Sequence, residues 1–484
     1  MCLNNGRGAF PLRKLGVSLA SKKLLISKEI AYTEEVRKKK KKPAAKKEGP
    51  QPMRDGRRFR IYPNQEQARM LSQWIGCQRV IQGAKIDEVD YQQWLRRHAV
   101  FNNVPVEGKW AFDQAYSHFK TELNPWLGDV PSQILRNGTY RAKAAFQRYW
   151  SGLGGKPKRR HKSNTESVIV TSELFQFRDD GLYLGSTRTP QKMQRVRLNA
   201  HRKFDRPKMI AIVRELGQWF VSFSFADNET VLSNDELLAI HAQANEEEIL
   251  ALDRGVVHPF YDSEGRVYDP GDIVHKRICQ YDARRVSLQR KLAGQKKGSK
   301  RRNDTKKKLA RVYQQKRRLI GDWRHKTTHA IAKNAPKVAA LENLNLAGMT
   351  RAPKPKEQTP CGVFPKNGRA AKAGLNRVML QMGLGIMANQ LLYKLNRQGK
   401  ALVLVPAHHS SQECSRCEHT SEDNRTSQAE FYCQACGFTA NADYNASLVQ
   451  RRRAWHILRS DGPIGSMETL NAREGPTPSE KPPA

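Results

Sequence analysis

Acidic residues are scarce in this chain. Asp and Glu number 46 among 484 residues, against 86 Lys and Arg, a formal net charge of +40. A solubilising surface does not need so large an imbalance of one sign, so a polyanionic partner is indicated, with nucleic acid first. Long apolar runs are also missing: none approaches the roughly 20 residues of a spanning helix, and no secretory h-region opens the chain. No membrane partner is expected, and the location implied is cytoplasmic. Cysteine is sparse at eight, and Cys2, Cys77, Cys279 and Cys361 are scattered without disulfide-framework spacing, so they read as reduced bystanders in an intracellular protein.

The other four cysteines are placed by rule. Cys414-Ser-Arg-Cys417, fifteen residues and Cys433-Gln-Ala-Cys436 give two C-x-x-C pairs at the separation of a tetrahedral four-cysteine zinc site. Four soft anionic sulfurs close the shell, so this zinc is structural. His408, His409 and His419 lie nearby but read as polar neighbours or phosphate contacts. The second pair leads almost at once to an isolated acid in Asn441-Ala-Asp443-Tyr-Asn445.

The rest of the chain divides by pattern. Residues 1–52, with a lysine run at Lys38–Lys42, read as a flexible basic arm, and residues 461–484, rich in Pro and Gly, are expected to be a disordered tail. A strand at Arg57–Tyr62 precedes a helical region, 64–155, whose tryptophans at 74, 94, 110, 126 and 150 are expected mostly as core anchors. Gly152–Gly155 ends that region, and Lys158, Arg159 and Arg160 follow in a loop suited to phosphates. Short alternating runs over 166–227 predict a small β-barrel or open sheet, with the helices inserted into it. From 248 the pattern becomes α/β, with apolar strands at 248–252, 338–342 and 401–405. A basic helical pair over 275–334 is interrupted near Lys296, Lys297, Lys300, Arg301 and Arg302, an amphipathic helix is expected near 372–397, and a last one over about 442–456.

Three acids stand where acids are costly unless used. Asp253 ends an apolar strand, Glu342 lies inside Val-Ala-Ala-Leu-Glu-Asn-Leu, and Asp443 begins a helix. Singly, each has an ordinary reading: a turn former before Arg-Gly, a strand-end residue turned to solvent, a helix N-cap. Together, two strands and a helix each presenting a carboxylate match the arrangement by which RNase H-like nucleases hold two Mg2+ ions, about 3.5–4 Å apart, against a scissile phosphate.

Leu252-Asp-Arg-Gly-Val256, Leu341-Glu-Asn-Leu344, Gly374-Leu-Asn-Arg377, Ser410–Cys417, Asn424-Arg-Thr-Ser-Gln428 and Cys433–Ala446 resemble segments of the TnpB family of transposon-encoded nucleases and of the compact type V CRISPR effectors. The similarity is dense over 248–450 and looser at Phe59–Pro63, Gly76-Cys77 and Pro131-Ser-Gln133. The resemblance implies a multidomain α+β protein: a wedge β-barrel (53–63 and 156–245) with a helical recognition insertion (64–155), and an RNase H-like RuvC nuclease domain (246–411 and 438–460) interrupted by a zinc-binding target-nucleic-acid module (412–437). It implies catalytic and magnesium-binding Asp253, Glu342 and Asp443, joined by Arg425, whose ordinary reading is a phosphate-contacting surface arginine. Structural zinc would sit on Cys414, Cys417, Cys433 and Cys436.

Such proteins bind a guide RNA, recognise a short target-adjacent motif and cut complementary target DNA, which implies a prokaryotic, nucleoid-associated location. Base pairing reads the sequence, so the protein needs a broad basic channel, for which Lys158, Arg159, Arg160, Lys296, Lys297, Lys300, Arg301 and Arg302 are candidates. The alternatives are an RNA-guided repressor that binds without cutting, a DNA-strand transposase on the same fold, and a CRISPR effector in place of a transposon nuclease.

Overall fold

The computed structural model describes residues 52–101, 112–163, 165–178, 181–188, 190–256, 258–353 and 367–460. The basic arm up to residue 51, the C-terminal tail, Trp110 and Cys361 therefore lie outside the described residues.

The first strand, β1 (Pro52–Tyr62), alternates as a half-buried strand should: Phe59 and Ile61 are buried, while the guanidinium groups of Arg58 and Arg60 lie over the Phe220 ring. Helices α1 (Gln65–Phe101) and α2 (Ser132–Trp150) follow, then β2 (Thr165–Thr171), β3 (Phe175–Arg178), β4 (Gly181–Leu184), β5 (Gln194–Asn199), β6 (Met209–Glu215) and β7 (Gln218–Thr230). Leu216 and Gly217, both at positive φ (50° and 83°), make the tight β6–β7 hairpin turn. The seven strands run in the order β2-β6-β7-β1-β5-β4-β3, so β1 sits centrally although the helices separate it from the other strands in the chain. Ile134 and Leu135 of α2 and Leu71, Trp74 and Ile81 of α1 share one core with Phe59, Val170, Leu182 and Val221. At Gly138 the two helices approach so closely that a Cβ would come within 2.9 Å of Ile81.

Two expectations are corrected here. Among the described residues no sheet closes into a barrel: β2 and β3 are the two edges and do not pair. They are joined by a 3-10 turn, Ser172–Leu174, whose backbone groups bond to Lys208, Gly185 and Thr187. The four described tryptophans of the helical region divide evenly, with Trp150 packed as an anchor against the Phe146 cluster. Trp74 is buried, but Trp94 is 56% exposed, stacked between Tyr91 and His98 on the outer side of α1, and Trp126 is 38% exposed.

The second sheet has four strands in the order β11-β10-β8-β9: β8 (Ile249–Asp253), β10 (Val338–Glu342) and β11 (Ala401–Val405) are parallel, and β9 (Tyr261–Asp262) pairs antiparallel to β8, with a single further bridge from Tyr261 to Val267. Helices cover both faces, which is why these strands read as continuous apolar runs. Leu250, Leu252, Ala339, Leu341, Leu402 and Leu404 face α4 (Gly271–Ala293), α5 (Lys300–Asn334), α6 (Arg369–Met382) and α7 (Leu384–Asn396). Ile249, Ala251, Val338, Ala340, Val403 and Val405 face α3 (Asn234–Ile240) and α8 (Ala442–Arg459).

The helix expected over 372–397 is two helices, parted at Gly383 (φ 66°). There Arg324 donates to the Met382 carbonyl at 2.7 Å and fills the space a Cβ would need. A small third sheet, β12 (Glu430–Tyr432) with β13 (Thr439–Asn441), carries the second cysteine pair on its hairpin.

Candidate active site

Parallel strands β8 and β10 end side by side, Ala340 opposite Ala251 and Leu341 opposite Leu252, so the next residues, Asp253 and Glu342, emerge from the same sheet edge. Helix α8 crosses β8 and brings Asp443 in its first turn. The cap of that helix is Asn441, whose Oδ1 accepts from the Asp443 and Tyr444 amides at 3.0 and 3.2 Å. This frees the Asp443 carboxylate from capping. Glu342 does not turn to solvent either: it is 5% exposed, and Oε1 accepts a hydrogen bond from Ser410 Oγ at 2.8 Å. Gln450, fully buried and two helical turns beyond Asp443, donates to Asp253 Oδ1 at 3.1 Å.

The electrostatics show that these groups share one site. Burial, then the negative fields of Glu342 and Asp443, push the Asp253 carboxyl up to about 8, against the pull of Gln450 and Arg425. Burial likewise raises Glu342, opposed by Ser410, Arg254 and Arg453. Arg254 is 7% exposed; one Nη donates to the Glu342 carbonyl oxygen, while Nε and the other Nη find no acceptor. Gln450 Oε1 is also unpaired. Neighbouring carboxylates beside an orphaned acceptor fit a hydrated hard cation, one of whose waters would donate to Gln450 Oε1.

The four cysteines of the C-x-x-C pairs converge as their spacing predicts. All four sulfurs lie within 4.8 Å of one another, with Cys414 to Cys436 at 3.7 Å and Cys417 to Cys433 at 3.5 Å. A tetrahedral zinc with bonds of about 2.3 Å requires sulfurs roughly 3.8 Å apart, so the set fits this ion. Each knuckle turns through a left-handed residue, Glu418 (φ 65°) after the first pair and Gly437 (φ 70°) after the second. Glu418 thus takes the conformation that glycine takes in the other knuckle.

The cysteine module is fastened to α8. Asn445, fully buried, accepts from the Ser415 amide at 2.9 Å and donates to the Glu413 carbonyl at 2.8 Å. Arg452 and Arg453 both grip the Glu413 carboxylate, and Arg453 also reaches the carbonyls of Pro406 and His408 at 2.8 Å.

The remaining candidates separate. Arg425, on the cysteine module, acts on Asp253 through its charge, while its own N–H groups bond the Ser427 and Gln428 carbonyls. Lys158, Arg159 and Arg160 are exposed on the loop after α2, with Arg159 paired to Asp87 of α1. Arg160 and His161 line a cavity of about 270 Å³ with Arg79 and Arg141. Lys296, Lys297, Lys300 and Arg301 are exposed at the tip of the α4–α5 hairpin, but Arg302 is spent there on the carbonyls of Leu292 and Gln295. Sequence reasoning missed Arg254, Ser410, Asn445 and Gln450 as site residues. The one available signal was the two-turn spacing that puts Gln450 on the same side of its helix as Asp443.

Comparison with known proteins gives three family matches in chain order: "Helix-turn-helix domain" over 53–81, "Probable transposase" over 228–352 and "Cas12f1-like, TNB domain" over 385–449. The first falls on a strand and the opening of one long helix; the last contains all four cysteines and Asp443. "Putative RNA-guided DNA endonuclease InsQ" of Escherichia coli (strain K12) is 28% identical over 333 residues, 66% of this chain and 74% of that protein. "Putative RNA-guided DNA endonuclease" of Streptomyces pristinaespiralis is 23% identical over 81% of this chain and 87% of its own length. "CRISPR-associated endodeoxyribonuclease Cas12f1" of Sulfoacidibacillus thermotolerans is 24% identical over 48% of this chain and 49% of its own. No helix among the described residues is long and apolar enough to cross a membrane. These matches follow one another along the chain, which is thus similar to proteins of the TnpB family and to the compact type V CRISPR effectors.

Proposed function

We propose that this protein is an RNA-guided DNA endonuclease of the cytoplasm, bound to a guide RNA and cutting DNA complementary to it after recognition of a short adjacent motif. The observation that carries the reading is the meeting of Asp253, Glu342 and Asp443 at one sheet edge, with no carboxylate among them neutralised by a direct ion pair among the described residues. Three parallel strands beside a short antiparallel one, with the third acid on a helix that packs on the first strand, support assignment of 246–411 and 438–460 to a RuvC-type domain. The helices between β1 and β2 support a recognition insertion in a wedge sheet.

Asp253, Glu342 and Asp443 would hold two Mg2+ ions, which supply an activated water and a stabilised leaving oxygen when bound. The chain's own residues do the rest. Ser410 orients the Glu342 carboxylate, Gln450 orients that of Asp253, and Asn441 takes over the capping that would otherwise occupy Asp443. Arg425 lends positive charge on the side of Asp253. Lys158, Arg160, Lys296, Lys297, Lys300 and Arg301 contact phosphates, while Arg159 and Arg302 are partly engaged within the protein.

The test is Asp253→Ala assayed with the RNA that copurifies with the protein: cleavage is lost and guide-dependent DNA binding is kept. Surviving cleavage would show that the acids are misassigned. The family description "Probable transposase" favours a second reading, strand transfer by the same acids, and absence of any copurifying RNA would move the assignment there.

A further inference from the structure

We propose that Arg254 is a built-in counter-ion that keeps the acid cluster's affinity for divalent ions low until a nucleic-acid phosphate arrives. The inference rests on the metal-site reading above and concerns when that site fills.

The starting observation is the guanidinium itself. It is 93% buried by the complement of its 7% exposure, it follows Asp253 directly in the chain, and it bridges the ends of β8 and β10 by donating to the Glu342 carbonyl oxygen. That acceptor is neutral, and Nε and Nη1 have none, so no carboxylate hydrogen bond spends the charge. The other two arginines near the acids are differently placed. Arg453 is gripped by Glu413, and Arg425 is turned to the Ser427 and Gln428 carbonyls on the cysteine module. Arg254 is thus the cation in the cluster left facing Asp253 and Glu342 with unspent donors.

Leaving a guanidinium buried with two empty donors is costly, and its charge is left to act on whatever enters beside the acids. A substrate phosphate supplies the opposing negative charge. Before it arrives, the arginine charge repels a divalent ion twice as strongly as a monovalent one, and in a partly desolvated site several ångströms across this weakens binding by at least about tenfold. Once phosphate is present, its charge offsets the arginine, and ions and substrate enter together. The device would restrain cutting by the protein before nucleic acid is seated.

The probe is Mn2+, titrated by calorimetry into the full-length, zinc-loaded, RNA-free protein, with and without a phosphorothioate single-stranded oligonucleotide. Wild type should bind Mn2+ weakly alone and at least about tenfold more tightly with the oligonucleotide. Arg254→Met, which keeps the apolar stem, should bind at least about tenfold more tightly without it, and Arg254→Lys, which keeps the charge, should match wild type. Unchanged zinc content and circular dichroism establish that the variants fold. Equal Mn2+ affinity in Arg254→Met and wild type overturns the role of Arg254, as does Arg254→Lys behaving like Arg254→Met. Glu342→Gln separates the two levels: if it abolishes Mn2+ binding while Arg254→Met changes nothing, only this inference falls. If no Mn2+ binding depends on Glu342, the metal-site reading falls with it.

Discussion

The seven-stranded sheet and the acid cluster of the four-stranded sheet treat buried carboxylates in opposite ways. In the seven-stranded sheet, Glu166 of β2 is held between Arg79 and Arg214, and Glu215 of β6 is met by Arg58 at 2.6 Å and by Arg317. Burial tends to raise the Glu215 carboxyl, but the hydrogen bonds of Arg58 and Gln314 and the charges of Arg58 and Arg317 outweigh it and hold the group below its ordinary range. In the four-stranded sheet Glu342 has only a serine hydroxyl and Asp253 only a glutamine amide as side-chain donors, and both carboxyls are raised. Each place carries the cost of taking an acid out of water. The first offsets it within the protein, and the second leaves it outstanding for a ligand.

That contrast can be broken experimentally, most sharply at Glu342. Glu342→Gln should reduce DNA cleavage by more than about 10³-fold with guide-dependent binding intact, whereas Glu166→Gln should leave the rate per folded molecule within about threefold of wild type. Single-turnover cleavage assays check both.

Next in size is the cysteine module. Because Ser415 and Glu413 are tied to Asn445, two residues beyond Asp443, chelating zinc or introducing Cys433→Ser should loosen the start of α8 and slow cleavage by about 10²-fold. Limited proteolysis should then cut within 412–437. Resistance to proteolysis after zinc loss would show the ribbon to be held by its packing alone.

A smaller effect is expected on the first sheet's stability. Glu166→Gln removes the charge that two partly exposed arginines share and should cost about 2–3 kcal/mol in urea unfolding, less than a fully buried pair would. The smallest concerns pH. Asp253 has a raised folded-state pKa, so the folded metal-free protein keeps a proton that the unfolded chain releases above about 3.8, and stability falls as pH climbs from there toward about 8. Asp253→Asn should therefore raise the Tm of metal-free protein by a few °C at pH 8, about, with the gain shrinking toward pH 4. A gain that grew on acidification would reverse the assigned sign.

Much of the second sheet was legible in the sequence. Strands buried on both faces must be apolar throughout, so β8, β10 and β11 stood out, and an acid closing such a run was conspicuous. The C-x-x-C pairs were legible because ligand geometry fixes their spacing. What supports the acids was not. Ser410 is 68 residues from Glu342, and Gln450 is 197 from Asp253, so only the crossing of α8 over β8 brings them together. Whether the edges of the first sheet meet depends on backbone pairing, which alternation of side chains does not encode. Trp94 was misjudged because an aromatic residue on a helix reads as core unless its neighbours Tyr91 and His98 are seen to stack with it on the outer face.

The fastening of Asp253 to Gln450 also bears on how the protein is made. During synthesis, β8, β10 and β11 can pair as soon as residue 405 has left the ribosome, yet the cluster lacks its third acid and its glutamine brace until α8 emerges. A ribosome that stalls between residues 405 and 443 releases a product with two carboxylates and no complete centre. On the proposed assignment of the acids, cutting ability arrives late in translation.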